Sequence, residues 1–287
     1  MINMYYEIKK CDQDFTILEN ILNTKGTRPK KNVIDKNNQR AIFKYEHPEY
    51  HASEAASEKL SYEIAKILNY DCATIELAYD KNKSLGILNY LFVDVDKFEH
   101  MDAVVYLKHE NENRCDFYTI SNIKKNLDEL NSNLFSHFIK IMIFDALVGE
   151  QDRHEENWGI NNKNGIYHIS PLYDNGCNLL REFKNPKTIE EYHTGKKDFM
   201  AYIKRSKTMI YKEDHKKRYK HFELVEELLK EYPDMIQKEI NNLKKLTDEK
   251  IEETVNKMPP SILTELHKKY IIKYLIERRN ILLEMVG

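Results

Sequence analysis

The sequence has little of what tight turns, cross-links or membranes require. Glycine and proline are scarce, at 8 and 7 of 287 residues. That is too few turn formers for an all-β fold with many reversals, and a chain so poor in both is not built for disorder. Four cysteines, Cys11, Cys72, Cys115 and Cys177, stand far apart, with no C-x-x-C pair and no zinc spacing. Their pattern predicts reduced, structural thiols and a cytoplasmic location. No apolar run approaches the ~20 residues of a membrane span, and the opening MINMYYEIKK lacks the apolar stretch of a secretion signal. An excess of one charge is missing too: 45 Lys and Arg stand against 47 Asp and Glu, a formal net charge of −2. Such a chain carries no overall basic field for nucleic acid or an anionic membrane. Neither an internal repeat nor a low-complexity tract is present.

What is there is a chain long enough for a sizeable core, 41% hydrophobic and 32% charged, a balance that suggests a helix-rich soluble protein. The most informative stretch runs from Phe144 to Gly176. It opens as the end of an apolar helix (Phe138, Ile139, Ile141, Met142, Ile143, Phe144) and turns abruptly polar at Asp152, Arg153, His154 and Asn157. Tyr167, Ile169 and Leu172 then read as a short buried strand leading into Asp174-Asn175-Gly176. Asp152 and Asn157 form D-x-x-x-x-N, the interval between base and metal-binding Asn in a protein-kinase catalytic loop. A second Asp follows one strand later, before a Gly. Phosphoryl transfer needs these parts: a carboxylate that orients the attacking hydroxyl, and a carboxylate with an amide to hold Mg²⁺.

F-D-A-L-x-G-x-x-D-R-H-x-x-N-W-G followed by I-S-P-L-Y-D-N-G resembles the HipA-like serine/threonine kinase family. More distantly, D-R-H-x-x-N is similar to the phosphatidylinositol 3- and 4-kinases. The resemblance runs from Gly26 to about Asn178. It implies an α+β, bilobal, protein-kinase-like fold, with a small β-rich N-lobe (1–96) and a larger helical C-lobe (97–287). It also implies ATP and Mg²⁺ as cofactors, Asp152 as catalytic base, Asn157 and Asp174 as metal ligands, and a protein hydroxyl as acceptor. Family members are often the toxic half of a toxin–antitoxin pair, which would bring an antitoxin partner.

The pattern before this stretch fits an N-lobe. Val33-Ile34 and Ala41-Ile42-Phe43 flank Asp35-Lys36-Asn37-Asn38 and predict a hairpin whose second strand ends at Lys44. In kinases such a lysine binds phosphates and pairs with a Glu on the next helix. A helix is predicted from Ser53, with Ala56, Leu60, Ile64, Ile67 and Leu68 at helical spacing. Six residues before its hydrophobic-Ala-Lys step the family places the Glu, which lands on Glu58; Glu54 shares that face, and Glu63 lies well around the helix. The turn at Gly26, with Thr27, Arg28 and Lys30, resembles the family's phosphate-covering loop G-x-x-x-K. There the family often has a self-phosphorylating Ser; this loop offers Thr24 and Thr27 but no Ser, a departure from the pattern. Ala73–Tyr79 and Leu85–Val95 read as a second hairpin, and position alone makes Leu91, Phe92 and Val93 the adenine-binding hinge.

From about Lys97 onward the signal is helical. Residues 181–220 are charge-rich and read as a solvated face in the place of a substrate-binding segment. His154 falls in the nucleotide site by the resemblance, bracing the loop, with Arg153 paired to a nearby carboxylate. Two other readings compete with a protein kinase: a small-molecule or lipid kinase, and a nucleotide-binding pseudokinase.

Overall fold

A computed structural model describes residues 4–18, 29–47, 53–92, 99–108, 112–183 and 186–287. The first lobe comprises β1 (Ile8–Lys10), the single turn α1 (Cys11–Asp14), β2 (Phe15–Leu18), β3 (Lys30–Asp35), β4 (Arg40–Tyr45), α2 (Ser53–Leu68), β5 (Ile75–Tyr79) and β6 (Leu85–Tyr90). The strands form one sheet in the order β1-β5-β6-β4-β3-β2. β1 and β2 lie at opposite edges yet are joined by α1 alone. A flat sheet would separate its edges by about 24 Å, five spacings of about 4.8 Å, farther than four helical residues span at about 1.5 Å each. The sheet therefore curls, and it wraps a small core of Cys11, Val33, Ala41, Phe43, Ala78 and Leu88.

Alternation along β4 decides where the cleft is. Phe43 enters that small core, so Lys44 faces the other side, where its register partner Ile87 joins α2 in the main core. α2 covers this face with Ala55, Ala56, Leu60, Ile64 and Leu68, all buried. Asp35 closes the β3–β4 hairpin by accepting from the amides of Asn37 and Gln39.

The second lobe contains β7 (Glu99–Asp102), α3 (Val104–Leu107), α4 (Arg114–Phe117), α5 (Ile120–Leu130), α6 (Leu134–Val148), β8 (Gly159–Lys163) and β9 (Ile166–Ile169). It continues through α7 (Pro186–His193), α8 (Phe199–Arg205), β10 (Lys207–Tyr211), β11 (Arg218–Lys220), α9 (His221–Glu231) and α10 (Pro233–Asn242). A 3₁₀ turn (Leu243–Lys245), α11 (Asp248–Asn256) and α12 (Glu265–Glu284) complete it. α6 is apolar all round and is correspondingly buried from Ile141 to Val148. It ends at Gly149, whose φ of 75° is left-handed and whose N–H closes on the Asp145 carbonyl. A side chain there would also run into the Tyr274 hydroxyl. α12 braces this end: the buried Arg278 donates to the Ala146 carbonyl at 2.7 Å. Among the described residues no helix is long and apolar enough to cross a membrane.

Three expectations change. The stretch after Lys97 is not uniformly helical, because β7 pairs with β8 and β8 with β9 in a three-stranded sheet. The strand carrying Tyr167 and Ile169 is only half-buried; Leu172 beyond it is buried and bridges to Cys72. Residues 181–220 are not merely a solvated face. Lys204, Arg205, Lys207, Lys216 and Lys217 are exposed, but Ile189, Phe199, Tyr202, Ile203 and Ile210 are buried. The β10–β11 hairpin is tied to α5, where the Glu213 carboxylate accepts from the Ser121 amide and hydroxyl.

Candidate active site

The loop after Gly149 is held from below by one guanidinium. Arg153 is buried, and its fork donates to both carboxylate oxygens of Asp145, Nε at 3.2 Å and Nη2 at 3.0 Å. Asp145 lies one turn from the end of α6, so the pair anchors the loop to the most buried helix. A planar fork that meets a carboxylate bidentately is among the stronger charge pairs, and the pairing with Asp145 holds the guanidinium pKa above its ordinary value against burial. Nη1 donates to the Asn157 carbonyl at 2.8 Å and to the Tyr173 carbonyl at 2.6 Å, and Nη2 also reaches Asn175 Oδ1. Arg153 thereby sets Asn157 beside the backbone that flanks Asp174.

Asp174 has a φ of 55°, in the left-handed region where Asp and Asn are the usual non-glycine occupants. Its Oδ1 lies 2.8 Å from the Lys44 Nζ, across 130 sequence positions and between the lobes. Neighbouring Asn175 donates its amide to Glu58 Oε2 at 3.0 Å. Burial lifts the Glu58 carboxyl to about 7, against the pull of the Lys44 ammonium, with Asp174 adding to the rise. Glu54 approaches Gly176 so closely that a Cβ there would lie 2.8 Å from its Oε1. Glu63 instead pairs with Lys59 and Lys66.

Lys30 sits directly opposite Lys44 in the β3–β4 register, so both lysines stand on the cleft side of the sheet. Burial and the Lys44 charge hold the Lys30 pKa below its ordinary value. Leu91 donates its amide to the Arg40 carbonyl. Phe92 stacks on Tyr173, with ring centroids 5.5 Å apart and planes inclined by 23°. His154 accepts at Nδ1 from the Glu156 amide, which braces the loop. Asn157 donates Nδ2 to the Asp152 carbonyl at 2.7 Å, which leaves its amide oxygen as the donor for a cation. An amide oxygen and the partly exposed Asp174 carboxylate are hard oxygen ligands, few in number, as suits Mg²⁺. Gly26, Thr27, Arg28 and Val93, with Thr24, lie outside the described residues.

Sequence reasoning missed three participants. Asp145 stood in an apolar run, where an acid needs a buried cation; that was the available signal. Glu150, which accepts from the Asp152 amide, and Tyr173 gave none.

A small β-rich lobe and a larger helical lobe, meeting where Lys44 touches Asp174, define a protein-kinase-like bilobal fold. The chain belongs to the HipA-like family: its residues 22–260 match the HipA-like C-terminal domain. The fold is similar to a crystal structure of the Helicobacter pylori proinflammatory kinase CtkA, with a TM-score of 0.84, 16% identity, and coverage of 98% of this chain and 96% of that one. It is also similar to HipA of Shewanella oneidensis MR-1, solved with HipB and operator DNA (TM-score 0.59, 14% identity, 92% of this chain and 64% of that one). At these identities the likeness is one of fold. No curated protein matches the sequence closely enough to count as a relative.

Proposed function

We propose that this protein is an ATP-dependent serine/threonine protein kinase of the HipA-like type. The observation that carries the reading is the 2.8 Å contact of Lys44 with Asp174, on one side of a loop bearing Asp152 and Asn157. Two opposed lysines, Lys30 and Lys44, raise each other's electrostatic energy, and a polyphosphate laid between them would relieve it. Lys44 and Lys30 hold phosphate charge, and Glu58 keeps the Asp174 turn in place through Asn175. Asn157 and Asp174 would hold Mg²⁺, which when bound neutralises phosphate charge. Asp152 orients the acceptor hydroxyl and takes its proton, help worth typically 10²–10⁴-fold. The backbone at Phe92 would receive the adenine, the Leu91 amide being held by the Arg40 carbonyl. HipA of Shewanella oneidensis was solved with HipB; a toxin held by an antitoxin is accordingly the biological setting we propose, in the cytoplasm.

The test is incubation with Mg²⁺ and γ-labelled ATP, alone and with candidate proteins, for wild type and Asp152→Ala. Label on Ser or Thr of a protein, lost in the variant, is the expected result. Label on a lipid or metabolite would replace the acceptor class, and nucleotide binding without transfer would overturn the enzymatic reading.

A further inference from the structure

Glu150 is fully buried, lies outside the D-R-H-x-x-N motif, and is used by none of the steps above. Its carboxylate spans the two halves of the site. Oε1 accepts from the Asp152 amide at 2.9 Å. Oε2 accepts from the Cys177 amide and from Asn178 Nδ2, each at 3.1 Å. One side chain thus joins the backbone of the proposed base to the segment three residues beyond Asp174. Asn178 extends the tie, donating also to the Asn175 carbonyl and to Ser61 on α2.

The Glu150 backbone is fixed separately. Its carbonyl accepts from His221 Nε2 at 2.7 Å, so His221 carries its proton there and receives Ser206 Oγ–H at Nδ1. Burial keeps this imidazole neutral, its pKa down to about 3. Ser206 in turn accepts from Arg278 of α12. Main chain and side chain of Glu150 are therefore held by different elements, which is what a rigid spacer requires.

We propose that Glu150 is a positioning residue that sets the distance between Asp152 and the Asp174 turn by accepting from three N–H donors, one on the Asp152 side and two beyond Asp174. The inference rests on the kinase reading of the same site. The two oxygens of Glu150 offer about four acceptor positions, and the three N–H donors fill three of them, one on Oε1 and two on Oε2. Burial lifts its carboxyl to about 8. Arg153 pulls it down, Asp145 and Asp152 push it up, and the Asp152 amide bond lowers it. The Glu150 charge in turn raises the Cys177 thiol and the Tyr274 hydroxyl, each lifted first by burial.

Glu150→Gln keeps the shape but turns an amide NH₂ toward N–H donors. The expected outcome is a fall in kcat of at least tenfold, with KM for MgATP within threefold of wild type, because Lys44 and Asp174 keep their contact and Arg153 still holds the Asn157 carbonyl. Amide hydrogen exchange at Asp152 and Cys177 should accelerate together in the folded variant, a readout that general destabilisation would spread over the whole lobe. Unchanged kcat, or unchanged exchange at these two amides, overturns the inference. Should Glu150→Gln not fold, Glu150→Asp decides: it keeps the carboxyl group but not the reach, so wild-type kcat and exchange in it would overturn the role. An active wild type with silent amides refutes the spacer alone. A wild type that transfers no phosphate to any acceptor refutes the kinase reading, and the positioning role with it.

Discussion

Replacing Asp145 with alanine removes the carboxylate that neutralises Arg153. The guanidinium and the carboxylate are both about 97% buried, each side chain being 3% exposed, so the charge left behind cannot be rehydrated in place. Breaking a buried pair from one side costs about 3–5 kcal/mol. With unfolding entropy of about 2.1 cal/mol/K per residue, 287 residues give about 0.6 kcal/mol/K, and the melting temperature should drop by about 5–8 °C. Differential scanning calorimetry of wild type and Asp145→Ala measures it. Asp145→Leu combined with Arg153→Met should be less destabilised than the sum of the single changes, since no charge is then left unpaired. It should still fall short of wild type, because the carbonyls of Asn157 and Tyr173 lose their donor. A melting temperature for Asp145→Ala within about 1 °C of wild type would refute the reasoning, by showing that the loop is not held through Arg153.

Lys44→Met should separate function from stability. The Lys44–Asp174 pair is partly exposed, at 22% and 40%, so its loss should cost about 0–1 kcal/mol and be hard to see in a thermal melt. Phosphate transfer should fall by about 10²-fold or more, read by γ-labelled ATP. Glu58→Gln tests the buried carboxyl through pH. With Glu58 raised from 4.5 to about 7, the folded chain keeps a proton that the unfolded chain releases. Its contribution is full below pH 4.5 and is lost as pH rises through 7. The stability of wild type relative to Glu58→Gln should therefore decline between these values and level off above, in urea titrations. A difference that does not change with pH would mean that burial does not hold the proton.

The part of the fold that was legible was the part with strong periodicity. The β3–β4 hairpin has its polar tip between an apolar pair and an apolar triplet, α2 its helical spacing, and α6 a strongly apolar run before a polar loop. β1, α1 and β2 carry three or four residues each, too few for any period to show, and the closure of the sheet follows from topology. β7 is Glu-His-Met-Asp, with no apolar alternation, and exists because β8 pairs with it. In 186–220 the buried residues are spaced out among lysines, so composition hid them.

The site divides similarly. Asp152, Asn157 and Asp174 could be named from a motif whose spacing the proposed chemistry dictates, and Lys44 from its place at the end of a predicted strand before a helix. Residues that hold those in place need only be near in space. Asp145 and Glu150 flank the motif in sequence but do their work through Arg153 and through Cys177 and Asn178, which no spacing announces. The Phe92–Tyr173 stack joins positions 81 residues apart, whose only common feature is an aromatic ring.

ATP binding by calorimetry, with and without Mg²⁺, on wild type and Asp174→Ala tests most directly whether these side chains form one nucleotide–metal site. The expected result is that Mg²⁺ tightens ATP binding to wild type and that the variant loses this dependence. Wild-type protein that binds no ATP, or binds it equally well with and without Mg²⁺, would contradict the account.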